Sequence, residues 1–340
     1  MCMQVGISPG RISFAGGGTD LPEYYEKFGG SVVTTAISQF TYSIIHSRHD
    51  NTFQAFSPDF QKHYHVTDFE KIEHEDGTEI ASSVIKKLNY RNGINIILSS
   101  DIPAGSGLGA SSSLAVNLVN IISELKGLKW DSKKIAETAF DIGRNILHWP
   151  IGKQDEYISA FGGFNYIKFS SDKVDVIPIN MNNSSLNELE DNLVLFFIGN
   201  LRNSSKILSN QIERIQKNDV NTMNSLHKVK ELSQEMYDSV KTSNLTNFAE
   251  LLNKGWQFKK NFASGITTDF IDDIYSQALS NGAMGGKLTG AGGGGHMIFY
   301  CEKSKQQKFI VKMESLGLTH KKFKFYNKKP QILNLYDHIQ

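Results

Sequence analysis

The sequence predicts an α+β protein of two domains, and three features support this fold class. Its 340 residues, 39% of them hydrophobic, suffice for two domains of ordinary size or for one large domain. Segments rich in β-branched and aromatic residues dominate the first hundred residues, whereas most of 203–255 has the pattern of long amphipathic helices. The polar, asparagine-rich segment 172–191 lies between these regions, and we predict that it connects two halves.

The N-terminal half begins with strands. The predicted elements are a strand with a turn at 5–15, β-structure at 31–49, further strands within 53–66, a helix at 78–88 and a short strand at 94–98. His63 and His65 alternate on one of these strands, so both rings face the same side. With no third ligand nearby in the sequence, we interpret them as part of a solvated strand face rather than as a metal site.

Helices dominate the remainder of the chain. Apolar residues at helical spacing predict a helix through 114–125, ended by Gly127, and a second helix at about 132–147 before Pro150. Strands are predicted at 164–169 and 193–198, a helix at 270–281, a glycine-rich loop leading into a strand at 287–300, and a helix and closing strand within 308–335.

Composition excludes several classes of partner. The chain has 36 Lys and Arg residues against 35 Asp and Glu residues, so no overall field favours nucleic acid or an anionic membrane surface. Cys2 and Cys301 are far apart and lack metal-ligand spacing, which argues against a disulfide framework and favours a reducing compartment. No apolar run approaches the roughly 20 residues that span a bilayer. We therefore expect a cytoplasmic protein that binds neither nucleic acid nor membranes.

The segment 103–113, PAGSGLGASSS, is the strongest candidate for an anion site, and we call it the serine-glycine loop. Gly105, Gly107 and Gly109 can adopt positive φ and let a ligand approach the backbone. The apolar helix that follows presents free N–H groups and the positive end of its dipole at its first turn. The loop therefore has the properties of a phosphate cradle.

A second glycine cluster lies near the N-terminus, in the segment 9–20, PGRISFAGGGTD. We call it the N-terminal glycine motif. Its three successive glycines, Gly16 to Gly18, allow backbone to approach another group closely. On this segment alone, a tight hairpin that merely turns the chain is an equally good interpretation.

Two familiar nucleotide motifs do not fit. Residues 105–110 satisfy the dinucleotide pattern G-x-G-x-x-A, but Glu124, the acid at the expected distance, lies inside the continuing helix instead of at the end of a strand. Residues 282–288 are similar to a Walker loop, but one residue is missing between the outer glycines and Leu288 replaces the magnesium-binding Ser or Thr.

Four motifs in order carry a family resemblance: the N-terminal glycine motif, the serine-glycine loop, GKQDEY at 152–157 and KLTGAGGGG at 287–295. This set resembles the GHMP kinase superfamily over nearly the whole chain. The resemblance implies a two-domain α+β fold, with a ribosomal protein S5 domain 2-like N-terminal domain at 1–180 and a ferredoxin-like α/β C-terminal domain at 181–340. ATP and its acceptor should meet in the cleft between them.

Within the superfamily, the motifs look like those of the D-glycero-D-manno-heptose 7-phosphate kinases. Galactokinases carry a Glu-His pair where this chain has Gly17 and Gly18, and the missing side chains leave space for a larger sugar. The implied reaction is phosphoryl transfer from ATP to the C1 hydroxyl, giving a 1,7-bisphosphate for GDP-heptose biosynthesis. Two alternatives stay open: a kinase for another sugar such as fucose, and a non-catalytic nucleotide or sugar sensor. A homodimer is also left open.

The resemblance assigns ATP binding to the serine-glycine loop and a magnesium contact to Ser111. Phosphate oxygens and waters would complete the shell of the Mg²⁺ ion, because serine alone is a weak ligand. The residues expected to bind ATP are Pro103, Gly105, Ser106, Gly107, Leu108, Gly109, Ala110, Ser111, Ser112 and Ser113.

Asp155 and Arg11 match the catalytic positions of the family. Asp155 is expected to accept the proton of the attacking hydroxyl, and Arg11 to orient Asp155 and steady charge on the transferring group. Without the family match, we would interpret Asp155 as an ordinary loop carboxylate and Arg11 as a surface residue of a strand. Asp20 corresponds to an aspartate that accepts hydrogen bonds from sugar hydroxyls.

The remaining substrate contacts expected are Gly17, Gly18, Thr19, Gly292, Gly293, Arg202 and Ser205. Arg202 and Ser205, with Ser204 and Lys206, form a candidate pocket for the distal phosphate of the acceptor. A second candidate for that phosphate is the pair Lys259 and Lys260.

One departure from the family pattern concerns magnesium. Superfamily members commonly have a metal-binding glutamate about a dozen residues before the catalytic aspartate, where this chain has Gly143. Asp141 is two residues away and would face another side of the helix. We hypothesise that Gly143→Glu raises turnover at limiting Mg²⁺, and an unchanged magnesium dependence would count against this idea.

Overall fold

The computed structural model describes residues 3–199 and 204–335 and contains two antiparallel-rich sheets covered by helices. The strands are β1 Met3–Ala15, β2 Gly30–Ser47, β3 Phe53–Ser57, β4 Lys62–Val66, β5 Ile94–Ser100, β6 Phe164–Phe169, β7 Val174–Pro178, β8 Leu193–Phe197, β9 Ala283–Leu288, β10 His296–Cys301, β11 Thr319–Lys321 and β12 Gln331–Asn334.

The helices of the described residues lie between these strands, with α3 to α5 and α7 to α10 as two runs of consecutive helices. They are α1 Pro22–Phe28, α2 Glu79–Lys87, α3 Ala110–Leu125, α4 Ser132–Asp141, α5 Gln154–Phe161, α6 Asn183–Asn192, α7 Ser204–Gln216, α8 Val220–Lys241, α9 Leu245–Lys259, α10 Asp269–Ser280 and α11 Lys303–Ser315. None of the described helices is long and apolar enough to cross a membrane.

The first sheet has the strand order β12-β1-β2-β5-β3-β4, with β6 and β7 attached to β2. The long strand β2 pairs with β1 along most of its length, while its first part also pairs with β6 and its last part with β5. Register shifts at Pro9/Gly10 and Ser13/Ala15 bend β1 where it approaches the glycine motifs. Phe14 and Ala15 at the end of β1 lie in a core cluster that contains residues of both sheets.

Helix α3 is the central helix of the first half. It is apolar on nearly every side, and Val116, Leu118, Val119, Ile121 and Ile122 are completely buried against β1, β2 and the neighbouring helices. A helix buried on most sides is rigid because its side chains are close-packed. The first turn of α3, where the serine-glycine loop ends, is thereby held in one position.

The second sheet has the order β11-β8-β10-β9 and is covered by α9, α10 and α11, while α8 packs on α9 and on β1 and β2 of the first sheet. Trp256 of α9 and Phe299 of β10 are fully buried in its core. A further cluster joins the two halves, where the Phe14 ring of β1 lies 5.2 Å from the Phe248 ring of α9. The last strand, β12, returns to pair with β1 in the first sheet.

Two predictions of local structure need correction. The segment predicted to be a plain connection at 172–191 contains β7 and most of α6, whose only buried residues are Leu189 and Asn192, so it lacks the apolar period that would have predicted them. The helix predicted at 132–147 is α-helical only to Asp141, and Ile142–Ile146 forms a π-type turn.

Candidate active site

The serine-glycine loop adopts the conformation that its glycines allow. Gly105, Gly107 and Gly109 have φ angles of 70°, 85° and 79°, which residues other than glycine rarely adopt. Gly109 is the residue before α3, so the loop leads directly into the first turn of the helix. The N–H groups of that turn, which an α-helix leaves without intrahelical partners, are available to an anion.

The loop before β10 packs directly on the serine-glycine loop. A Cβ added at Gly290 would lie 2.5 Å from Gly107 Cα, and one at Gly295 would lie 2.4 Å from Ser106 O. Burial lowers the pKa of His296 to about 4, so the neutral ring donates from Nδ1 to the Ser106 carbonyl over 2.9 Å. The two loops can therefore approach this closely only because Gly107, Gly290 and Gly295 have no side chains.

Arg11 and Asp155 form a two-pronged ion pair between β1 and the first turn of α5. Arg11 Nε donates to Asp155 Oδ1 over 2.7 Å, and a second guanidinium nitrogen donates to Asp155 Oδ2. The third nitrogen donates to the carbonyl of Gly107. One guanidinium thus connects the only predicted catalytic carboxylate to the serine-glycine loop.

The same carboxylate lies against the start of α3. A Cβ added at Gly109 would be 3.2 Å from Asp155 Oδ2. An anion bound at the first turn of α3 would therefore be close to Asp155 and Arg11.

Asp20 lies beside this pair and is buried. It accepts hydrogen bonds from the N–H groups of Gly18 at 2.9 Å and Gln154 at 3.3 Å. Burial and the charge of Asp155 raise the pKa of Asp20 to about 6, against the lowering effect of these two hydrogen bonds. Asp20 is thus a carboxylate at neutral pH, held in place by backbone donors.

Arg11, Asp20 and Asp155 line one central cavity that encloses about 640 Å³, including its open mouth. Two buried lysines also line it. Lys259 donates to the carbonyls of Leu288 at 2.9 Å and Gly290, so it holds the loop before β10. Within the described residues Lys287 donates one long hydrogen bond, 3.3 Å, to Phe14 O, and burial together with Arg11 lowers its pKa to about 7.

Three buried polar side chains on the cavity wall were not predicted as site residues from the sequence. Ser13 Oγ, Gln154 Oε1 and Gln211 Nε2 have no hydrogen-bond partner within the described residues. Such atoms are costly unless a ligand or water satisfies them, so the cavity is built for a polar ligand. Ser13 lies two residues after Arg11 on β1, and Gln154 directly precedes Asp155. Their positions beside the predicted catalytic residues could have identified both as site residues.

A second pocket, which we call the outer pocket, lies on the other side of the serine-glycine loop. Apolar residues line much of it, including Ile80, Leu98 and the half-exposed Phe60, and Pro103, Ala110 and Ser111 form the wall nearest the loop. An aromatic ring beside aliphatic residues suits a flat heterocycle. Ser111 of the outer pocket and Ser112 of the central cavity are neighbours in the first turn of α3, so both sites adjoin the start of this helix.

The donors present fit magnesium only if ATP brings most of its ligands. Among the described residues no cluster of three or more His, Cys, Asp or Glu side chains could hold a metal ion. Ser112 lines the central cavity and Ser111 the outer pocket. Magnesium commonly keeps waters and phosphate oxygens and takes one or two protein ligands.

Glu156 does not add charge to this site. It is buried and absent from the cavity wall, and burial together with Asp155 raises its pKa to about 8, against a hydrogen bond with Ser112. At neutral pH its carboxyl group is mostly protonated.

The predicted site residues differ in what they face. Gly17, Gly18, Asp20, Arg11, Asp155 and Ser112 line the central cavity, as do Gly290 and Ala291. The Thr19 hydroxyl is instead buried and donates to Gly16 O over 2.8 Å, and the Ser113 hydroxyl donates to Ser8 O over 3.0 Å. These two hydroxyls stabilise the fold of the site.

Other predicted contacts lie farther from the cavity or outside the described residues. A Cβ at Gly292 would meet the Ile266 backbone at 2.9 Å, and Gly293 N donates to Ile266 O over 2.8 Å. Ser205 is exposed in the first turn of α7, three residues before the cavity-lining Leu208. Arg202 lies outside the described residues.

The structure changes the expectation for Gly143. A Cβ there would lie 2.6 Å from Ile151 Cδ1 and 3.5 Å from the Trp149 ring. Ile151 itself lines the central cavity, so a glutamate at 143 could reach it only by displacing Ile151. We now expect Gly143→Glu to disturb packing rather than to supply a metal ligand.

Gly152 is the position where the smallest substitution should disturb the site. A Cβ there would lie 2.1 Å from Asp20 Oδ2, so we expect Gly152→Ala to displace the Asp20 carboxylate. The free energy of unfolding should fall by about 1–3 kcal/mol, as for other overpacked sites. Urea unfolding measures this change, and nucleotide and sugar binding measure the effect on the site.

Gly255 of α9 provides the matched control, since an added Cβ would meet no heavy atom within 4 Å. Gly255→Ala should leave binding unchanged and stabilise the helix by up to about 1 kcal/mol. If both variants behaved alike, close contact between Gly152 and Asp20 would not matter.

Comparison with known proteins matches both halves of the chain. Residues 78–163 match the family model described as the GHMP kinases N terminal domain, and 236–317 match the GHMP kinases C terminal model. The first range contains the serine-glycine loop and Asp155, and the second contains Lys259, Lys287 and the loop before β10.

Individual relatives agree with these matches. D-glycero-alpha-D-manno-heptose 7-phosphate kinase from Campylobacter jejuni is 30% identical, over 89% of this chain and 91% of that protein. L-fucokinase/L-fucose-1-P guanylyltransferase from Bacteroides fragilis is 26% identical over 86% of this chain, which spans about a third (34%) of that longer protein.

Among solved structures, a D-glycero-D-manno-heptose 1-phosphate kinase from Bacteroides thetaiotaomicron has a TM-score of 0.80 at 25% identity, covering 97% of this chain and 98% of the other. The sheets, helices and loops described above therefore have counterparts along nearly the whole of that structure.

Proposed function

This chain belongs to the GHMP kinase family, a family of ATP-dependent phosphotransferases, and from that premise we propose its acceptor and the position of transfer. The proposed reaction moves the γ-phosphate of ATP to the C1 hydroxyl of D-glycero-D-manno-heptose 7-phosphate. The products are the 1,7-bisphosphate and ADP. The heptose 7-phosphate kinase of Campylobacter jejuni, which matches this chain nearly end to end, supports this choice of acceptor.

The observation that carries the proposal is the three-way contact of Arg11. Its guanidinium holds both oxygens of Asp155 and the Gly107 carbonyl of the serine-glycine loop. A base, a cation and a phosphate cradle are thereby fixed together, which is what phosphoryl transfer requires of a protein. A sensor that only bound its ligands would not need a carboxylate held in this way.

In the proposed mechanism Asp155 accepts the proton of the C1 hydroxyl as its oxygen bonds to the γ-phosphorus and the bond to ADP breaks. A carboxylate has about four lone-pair positions, so its oxygens can accept from the hydroxyl while Arg11 occupies others. Arg11 keeps the acid oriented and places positive charge beside the transferring group. The first-turn N–H groups of α3 bind phosphate oxygens.

We place the adenine of ATP in the outer pocket, against Phe60 and the aliphatic wall. The triphosphate would then pass over the serine-glycine loop into the central cavity. Magnesium would neutralise charge between the phosphates, held by the hydroxyl of Ser111 or its neighbour Ser112. The predicted metal contact at Ser111 remains part of this proposal.

The acceptor sugar is assigned to the part of the cavity around Asp20. Asp20 accepts from sugar hydroxyls, and Lys287 and Ser13 provide donors on the wall of the same cavity. The distal phosphate is assigned to the start of α7, on the side of Ser205. A phosphate six carbons from C1 must bind away from the reacting hydroxyl, and Ser205 lies three residues before Leu208, which lines the cavity.

A direct test offers the purified protein a panel of acceptors with ATP and Mg²⁺ and follows ADP release. The panel contains D-glycero-D-manno-heptose 7-phosphate, the unphosphorylated heptose, L-fucose and D-galactose. We expect the highest kcat/KM with the heptose 7-phosphate and a product phosphorylated at C1. Preference for L-fucose would support the second candidate, a fucose kinase, which the relative from Bacteroides fragilis favours. ATP binding without turnover on any sugar would favour a sensor.

The pH dependence of acceptor use should follow Asp20. Its pKa of about 6 means that the carboxylate, which accepts from sugar hydroxyls, is lost as the pH falls below 6. We expect kcat/KM for the acceptor to fall by about tenfold per pH unit below that value. Lys287, with a pKa of about 7, stays protonated across this range and does not contribute.

The phosphate of the acceptor also titrates, with a second pKa of about 6. Asp20→Asn therefore serves as the reference, because its profile keeps every ionisation except that of Asp20, including those of the substrate phosphate and of Asp155. The wild-type profile should be steeper than that of Asp20→Asn. Identical profiles would contradict a role for the Asp20 carboxylate.

A further inference from the structure

Gln211 is a buried polar residue in a helix that is otherwise regular. Ile207, Gln211 and Ile215 are the buried residues of α7 and follow one another at a spacing of four, so the glutamine occupies a position on the apolar stripe. Its side chain is 3% exposed and lines the central cavity, and Nε2 has no hydrogen-bond partner within the described residues. Burial of an unsatisfied amide is unfavourable, so the structure requires a partner there.

Gln211 fills space that the N-terminal glycine motif leaves open. A Cβ added at Gly18 would lie 2.8 Å from Gln211 Nε2 and 3.0 Å from the Phe262 ring. The space next to Gly18, left by the missing side chain, is thus partly occupied by an amide from the C-terminal half. Gly17 and Gly18 therefore do not simply enlarge the sugar site, as predicted from the sequence, because the amide of Gln211 occupies part of the space beside Gly18.

Gly18 also connects Gln211 with Asp20, which belongs to the proposed acceptor site. Gly18 N donates to Asp20 Oδ1, and Asp20 and Gln211 line the same cavity. A carboxylate only accepts hydrogen bonds, whereas the amide nitrogen of glutamine donates two. Since each sugar hydroxyl both donates and accepts, an acceptor and a donor side by side match a pair of neighbouring hydroxyls.

We infer that Gln211 is a specificity-determining residue, whose Nε2 donates to a hydroxyl oxygen of the acceptor sugar beside Asp20. This inference rests on the proposed function in that it requires a sugar acceptor in the central cavity. It does not depend on which sugar is bound. It assigns to the C-terminal half a direct contact with the acceptor.

The test compares wild type with Gln211→Met, which keeps the length of the side chain but removes the donor. We expect KM for the acceptor to rise about 3- to 10-fold, as for loss of one hydrogen bond, while KM for ATP changes less than about 2-fold. The same substitution at the exposed Gln216 of α7, Gln216→Met, is the matched control and should change neither constant.

The hydroxyl that Gln211 contacts is identified with acceptor analogues that each lack one hydroxyl. With wild type, one analogue should have a kcat/KM several-fold below that of the complete acceptor. With Gln211→Met, the same analogue and the complete acceptor should differ little, because the variant has already lost the hydrogen bond to that hydroxyl. Equal losses in both proteins for every analogue would overturn the inference. An equal rise in KM for ATP and for the acceptor would also overturn it, because it would indicate a general structural role.

The outcome is distinguishable from failure of the proposed function. If wild type phosphorylates L-fucose rather than the heptose 7-phosphate, the proposed substrate is wrong, and the analogue series is carried out with monodeoxy derivatives of L-fucose. Thermal unfolding of the Gln211→Met protein without ligand checks that it is folded. The expected result is an unchanged or raised melting temperature, since the substitution removes an unsatisfied buried amide.

Discussion

Asp155→Asn should lower kcat by about 10²- to 10⁴-fold, the range typical for loss of a general base. Asparagine has nearly the same shape, but it cannot take the proton from the sugar hydroxyl. Asp155 does not line the outer pocket in which we place the adenine, so the dissociation constant for ADP should change by no more than about 3-fold. Coupled measurement of ADP release provides kcat, and calorimetric titration provides the binding constant.

Glu156 is the matched control because it is the adjacent carboxyl residue on α5. Its pKa of about 8 leaves it mostly protonated at pH 7, so Glu156→Gln removes little charge. We expect its kcat to stay within about 3-fold of wild type. If Asp155→Asn kept a tenth or more of wild-type turnover, Asp155 would not be the base.

Arg11→Met should lower the stability of the protein strongly. It leaves the Asp155 carboxylate without its partner, and the two side chains are only 5% and 19% exposed. Removal of one member of a buried pair costs about 3–5 kcal/mol. Activity should also fall, because the base loses its orientation and the transferring group its neighbouring charge.

A double-mutant cycle separates these effects. Arg11→Met/Asp155→Asn should be more stable than Arg11→Met alone, because no unpaired charge remains, yet it should stay as inactive as either single variant. Urea unfolding of the four proteins measures the coupling. Additive losses of stability would contradict direct pairing.

Arg48→Met is the control for the cycle, since Arg48 pairs with Asp50 at the surface, where the side chains are 26% and 53% exposed. Exposed ion pairs contribute about 0–1 kcal/mol. We therefore expect a change in unfolding free energy of less than about 1 kcal/mol, with normal turnover.

Most secondary structure was predictable because it follows the local spacing of apolar residues along the chain. Strands β1 to β5, helices α2 and α3, and the helices of 204–259 lie where the apolar spacing predicted them. The elements inside 172–191 were missed because α6 buries only two residues, and a helix that contributes so little to a core has no clear apolar period.

The candidate site was predictable to the extent that it depends on backbone conformation. Gly105, Gly107 and Gly109 have positive φ, and Gly290 contacts Gly107, because only glycine permits these conformations and distances. Thr19 and Ser113 show the limit of motif reasoning. Their hydroxyls lie within the motifs, but they point into the protein, and a motif does not record direction.

The sequence by itself determined the family, the serine-glycine loop and the candidacy of Asp155 and Arg11, because these depend on residue type and order along the chain. Only the tertiary structure decided that Arg11 meets Asp155 across 144 positions and that Gln211 fills the space beside Gly18. The first contact depends on how α5 packs against β1, and the second on how α7 packs beside α1 and the N-terminal glycine motif. Packing of distant segments is set by the shapes of many side chains together, which no local pattern encodes.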